Sequence, residues 1–293
     1  MIGVADSNGI ILPFAVYDGE RWTAPWPEED YDVYETMEDI PKSWYSPLEN
    51  IPKKWNIIYQ DNQTGTIEMS KQALVSSWCS QRWVLVGVAT RKVHRGNKGD
   101  IYDISNSEGL FLATTGNQTE SGMKVPDKQS NEYSEIYKLV DASINASEGI
   151  GNHPVQESER GAAQTELTTI VRNETHQEGC AIYYVEARKE YPDESSKPWP
   201  EGLTVFTAVS YLNGWILRDG NNKLSFIKQD FEIYHRTWLM YTPPDDPLGI
   251  LTLNGRSYWI IRDWTSYESE RWVIFDVSPS DVKQALEVYG GGC

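Results

Sequence analysis

Apolar positions along the chain fall in short runs, many with a period of two, and several of these runs are closed by a turn dipeptide. Asn8-Gly9, Asp18-Gly19, Asn213-Gly214, Asp219-Gly220 and Asn254-Gly255 each sit between two apolar segments. A type I′ turn needs positive φ at both central residues, which Asn and Gly tolerate, so this pattern predicts hairpins and a mainly β fold. The opening segment reads as a meander of strands over residues 2–5, 10–17 and 21–24. An acidic, proline-bearing stretch over residues 25–52 interrupts it as an irregular loop, with Trp26, Tyr31, Tyr34, Trp44 and Tyr45 as pegs.

Residues 55–59 and 66–69 are expected to pair as a hairpin, followed by a helix over residues 70–79 that carries Ala73, Leu74 and Trp78. The continuous Val and Leu run over residues 83–90 predicts a strand buried on both faces. Residues 101–104 and 110–114 form another pair of strands. In the polar section that follows, Tyr133, Ile136, Tyr137, Val140 and Ile144 recur at helical spacing behind Ser130, predicting one amphipathic helix with a serine cap. Strands are expected again over 167–172, 181–187, 204–211, 215–218, 224–227, 231–234, 238–242, 249–253, 257–262 and 271–277. A short helix over 281–288, capped by Ser280, closes the chain.

These elements make about six hairpin or meander units at intervals of about 40 to 50 residues, a rhythm that suits a β-propeller, with a two-sheet sandwich as the rival. We expect a single β-rich domain over residues 1–293 with a polar, partly helical insertion near 117–164. If there are two domains, the glycine-bearing segment 149–154 is the expected boundary.

Hydrophobic content of 39%, with 12 Trp and 17 Tyr, indicates a folded, aromatic core. The formal charge of -17 argues against a nucleic-acid partner, whose phosphates demand clustered Lys and Arg. The densest basic group, residues 91–95, is short and reads as a solvated strand end. No apolar run approaches the roughly 18 residues of a membrane span. Met1-Ile2-Gly3 lacks the features of a signal peptide, so the expected extracytoplasmic or secreted location supposes a leader before this numbering; a cytoplasmic location is the alternative. Asn62, Asn117, Asn145 and Asn173 head sequons that matter only on a glycosylating route. Cys79, Cys180 and Cys293 allow one disulfide, and the flexible glycine tail before Cys293 favours a Cys79–Cys293 bridge.

Candidate chemistry is sparse. His176 and Cys180 form the one close Cys-His pair in the sequence, but a glycine loop followed by a strand favours a structural Cys180. The four histidines are scattered, so no metal is expected, and without a glycine fingerprint or a Walker loop neither is a nucleotide cofactor. A glycoside hydrolase needs two carboxylates beside aromatic platforms, for which Glu186, Glu268 and Glu270 are the candidates. Trp259, Trp264, Tyr267 and Trp272 cluster near the end of the chain as candidate binding aromatics, with burial in the core as the competing role. The reading is of a binding or structural protein that contacts a glycan or protein partner, alone or inside a larger extracellular assembly; a carbohydrate-active hydrolase is the alternative.

Overall fold

A computed structural model of the chain describes residues 1–6, 9–25, 51–58, 64–77, 80–89, 111–115, 123–150, 163–175, 177–192, 205–238, 246–266 and 269–292. The chain divides into two compact units, one built from Met1–Ser121, Asp246–Val277 and Lys283–Cys293, the other from Gly122–Asp245 and Ser278–Val282. The fold is mainly β, with three antiparallel sheets and one helix among the described residues.

The first sheet contains β1 (Ile2–Ala5), β2 (Ile10–Tyr17), β3 (Trp22–Thr23), β4 (Lys54–Ile58), β5 (Thr64–Ser77), β6 (Ser80–Ala89) and β7 (Phe111–Thr114). Its order is β1-β7-β4-β5-β6-β2-β3, and an additional β1–β2 pairing gives β1 a partner on each edge. All four residues of β1 are buried, and Ile2 and Val4 belong to the core. The last sheet is a meander of β12 (Asp246–Leu253), β13 (Arg256–Ser266), β14 (Ser269–Ser278) and β15 (Asp281–Gly292). Val4, Leu12, Phe14 and Trp22 of the first sheet share one core with Tyr258, Ile260, Trp272 and Ile274 of the last, a sandwich-like packing. Phe14 and Trp272 stack 5.3 Å apart, and Trp22 meets Tyr258 edge-on at 5.4 Å. A Cβ on Gly249 would lie 2.6 Å from Leu112, so glycine lets β12 approach β7 closely.

The second unit contains a meander of β8 (Thr165–Glu174), β9 (Ala181–Pro192), β10 (Val205–Arg218) and β11 (Leu224–Trp238), with α1 (Asn131–Ser147) packed on it. Ser130 caps α1, its hydroxyl accepting from the Tyr133 amide, and Ile136, Val140 and Ile144 are fully buried, as the periodicity predicts. Lys124 pairs with Arg172 in an isolated antiparallel bridge on β8. Among the described sheets, the two meanders have the four strands and sequential order expected of propeller blades; the seven-stranded sheet does not.

Three expectations are corrected. Residues 70–77 belong to β5 rather than to a helix, because β6 supplies a ladder from Ile67↔Ala89 to Ser77↔Ser80, with one bulge between Met69 and Lys71, that overrides local propensity; residues 78 and 79 lie outside the described set. Asp281–Gly292 is likewise a strand. Val282 and Val288 are buried while Glu287 pairs with Arg271 of β14 at 2.8 Å, an alternation that satisfies β15 in the sheet. Finally, Asn213-Gly214 makes no turn but lies inside β10, opposite Asp230 and Gln229 of an equally continuous β11. A Cβ at Gly214 would sit 2.6 Å from the Lys228 carbonyl, so glycine here serves a close approach beside the Trp215/Ile216 bulge. Asn254-Gly255 is the type I′ turn expected, with φ of 52° and 75°. The expected strand at 101–104 lies outside the described residues.

Ile144→Ala should cost about 2–5 kcal/mol by removing a fully buried side chain, and Ser130→Ala about 1 kcal/mol by uncapping α1. Urea unfolding followed by far-ultraviolet circular dichroism would measure both.

Candidate functional site

Cross-strand partners share a face of a sheet, so the register of β8–β11 sorts its side chains into two sets. Leu167, Ile170, Val185, Ala187, Leu212 and Ile216 lie beneath α1. The opposite face carries the rows Thr169–Glu186–Asn213–Asp230 and Glu166–Arg188–Tyr211–Glu232.

Beneath the carboxy-terminal end of α1 the apolar seam gives way to a buried charged cluster. Glu148 is 0% exposed and Lys189 2%, with 3.4 Å between Lys189 Nζ and Glu148 Oε2. Lys189 also donates to Asn145 Oδ1 at 2.7 Å. The other Glu148 oxygen accepts from the Tyr191 hydroxyl at 2.5 Å and the Ser210 hydroxyl at 2.7 Å. Asn145 Nδ2 in turn donates to Asp141, which the Thr165 hydroxyl holds at 2.6 Å. Burying a charge without partners would cost several kcal/mol, and this set of donors and acceptors offsets that cost.

A second network holds the amino-terminal end of α1. Tyr183, fully buried, donates to Glu132 at 2.5 Å and accepts from Arg218 Nε at 3.1 Å. Arg218 pairs with Glu135, and Arg172 with Glu132 and Glu174. Burial and then the hydrogen bond to Glu132 push the Tyr183 phenol up to about 12, against the opposing pull of Arg218.

The face away from the helix has a different character. Arg188 pairs with Glu166 at 2.9 Å and with Glu190 at 3.2 Å. Tyr211 and Tyr234 meet edge-on at 5.5 Å, and the Tyr234 hydroxyl donates to Glu232. That hydrogen bond, followed by burial, raises the Tyr234 phenol to about 12. Desolvation raises Tyr211 as well; the nearby Arg188 opposes this, while Glu190 and Glu186 add to it. Glu186 is half-buried, and its Oε2 accepts from the Thr169 hydroxyl at 2.8 Å. Among the described residues, five carboxylates (Glu166, Glu186, Glu190, Asp230, Glu232) stand here against two cations, Arg188 and Lys228, and Tyr234 is 47% exposed. The patch is acidic, aromatic and open to solvent.

The sequence-predicted residues are dispersed. Glu186 stands on the patch just described. Trp259 and Trp272 are each 1% exposed and belong to the core, so neither ring meets a ligand. Glu270 lies opposite Trp264 in the β13–β14 ladder, but their side chains, like Tyr267, Glu268 and His176, are outside the described residues. The same holds for Cys79, Cys293, Asn62 and Asn117; Cys180 is buried as a free thiol. Asn173 lies in the β8 ladder opposite Ile182, and the Asn145 amide is engaged by Asp141 and Lys189. Among the described residues no three His, Cys, Asp or Glu side chains gather as metal ligands, and no helix is long and apolar enough to cross a membrane. No family model, curated protein or solved structure matches the chain.

Sequence reasoning missed the Glu148–Lys189 cluster and Tyr211, Tyr234 and Arg188. The alternation of β9 held a usable signal: with Val185 and Ala187 inward, Lys189 and Tyr191 fall on the same inward face.

Lys189→Met should cost about 3–5 kcal/mol in urea unfolding, since it strands the Glu148 carboxylate, whereas adding Glu148→Leu to it should recover part of that loss. A phenol raised in the folded state keeps its stabilising effect below pH of about 10, and loses it as pH climbs towards about 12. Unfolding at alkaline pH should therefore be less steep for Tyr183→Phe than for the parent chain, as read by stability measured across pH.

Proposed function

We propose that the chain is a binding protein, acting outside the cytoplasm alone or within a larger assembly, and that it meets a glycan or protein partner through the acidic, tyrosine-bearing face of β8–β11. The observation that carries this reading is the Tyr211–Tyr234 pair set among Arg188 and the carboxylates on the face away from α1. Tyrosine offers a flat apolar surface with a polar edge at low entropic cost, the type of group that anchors interfaces and stacks on sugars. The surrounding acids steer a partner of complementary charge and fix its orientation.

Hydrolysis is the weaker reading. Glu166 and Glu190 are tied to Arg188, Glu232 receives the Tyr234 hydroxyl and Glu186 the Thr169 hydroxyl. Carboxylates held this way suit recognition better than an acid and base flanking a scissile bond.

A glycan array and calorimetric titration of its hits should give binding that Tyr211→Ala or Tyr234→Ala weakens about 10-fold or more while the fold is kept. Turnover of aryl glycosides that Glu186→Gln abolishes would overturn this reading in favour of the hydrolase.

A further inference from the structure

The geometry points to a covalent cross-link between Lys189 and Asn145, a secondary amide that joins β9 to α1. In the buried cluster the Lys189 amine is nearer to the Asn145 amide oxygen, at 2.7 Å, than to the Glu148 carboxylate, at 3.4 Å. Amine, primary amide and carboxylate are the three groups that amide exchange requires: a nucleophile, an electrophile and a proton carrier. All three are held by the fold. Glu148 Oε1 is fixed by Tyr191 and Ser210, which leaves Oε2 facing the amine. Asn145 Nδ2 is directed at Asp141, itself held by Thr165, so the amide cannot rotate freely. Such positioning replaces the encounter that makes this reaction slow in water.

In the first step a proton passes from Lys189 Nζ to Glu148 Oε2 across the 3.4 Å between them, leaving a neutral amine. The Lys189 lone pair then attacks Cγ of Asn145, forming the C–N bond as the carbonyl π pair moves onto Oδ1. Glu148 gives its proton to Nδ2 and takes one from Nζ. Collapse of the oxyanion breaks the Cγ–Nδ2 bond, and the departing ammonia takes the proton from Glu148 and leaves as ammonium. Primary amide and ammonium side chain become a secondary amide and an ammonium ion, with no oxidant or reductant. The bond would also remove Asn145 as a glycosylation acceptor.

The test is the intact mass of the full chain under denaturing, reducing conditions, with peptide mapping. The expected result is a mass lower by one ammonia than the sequence requires, together with a branched peptide joining the segments around Asn145 and Lys189. An unmodified mass, or a loss of ammonia mapped elsewhere, overturns the proposal. Glu148→Gln keeps the size and hydrogen bonding of the side chain but cannot carry the proton, so it should restore the full mass with the far-ultraviolet spectrum unchanged. A Glu148→Gln chain that still contains the branched peptide would overturn the assigned role of Glu148. Should that variant fail to fold, the branched peptide in the parent chain decides the matter alone.

Discussion

The second unit depends on one contact, the stripe Ile136–Val140–Ile144 of α1 laid on the inward face of β8–β11. Removing three such side chains from water stabilises the unit by about 1.5–3 kcal/mol each, before the entropy of ordering is subtracted. An apolar stripe alone does not fix register, since a helix can slide or rotate on a smooth surface. The polar clusters at its two ends do. Any slip would leave Glu148 and Lys189, or Glu132 and Tyr183, buried without partners, and that penalty exceeds what the pairs contribute in place.

The first unit solves the same packing problem with aromatic bulk. Phe14, Trp22, Tyr258 and Trp272 interlock at tilted or edge-on angles, which lets large rings fill the space between two sheets. Its surface is organised by ion pairs across strands: Arg271 on β14 binds Asp263 on β13 and Glu287 on β15. This row helps explain why the end of the chain is a strand although its serine and spacing resemble a capped helix.

What could be read from the chain follows the range of the forces involved. The helix at 131–147 was legible because its cap, its period and its buried stripe are local and agree with one another. Asn254-Gly255 was legible for the same reason. Residues 70–77 and 281–288 were not, because the partners that make them strands lie in β6 and β14. Asn213-Gly214 misled because the same glycine answers two needs, a reversal or a close approach, and only a neighbouring backbone tells them apart. Of the candidate site, the sequence singles out Glu186 alone, as a catalytic candidate, from its setting among tyrosines and an arginine. Tyr211 and Tyr234 were not, because the sheet brings together residues that the sequence separates. Trp259 and Trp272, candidate binding aromatics in the sequence, are in the core instead, because inward and outward positions of a strand cannot be told apart until its partners are known.

The bridge between Lys124 and Arg172 spans a single pair of residues, yet it sits on the outer edge of β8, the terminal strand of its sheet. Exposed strand edges are templates on which other chains can add, the first step towards fibrils. By occupying the amide and carbonyl of Arg172, Lys124 breaks the run of vacant groups such growth would follow, while its charged side chain stands beside them. A clasp this small thus closes the edge of β8 at one step, where a strand adding to the meander would need Arg172 free.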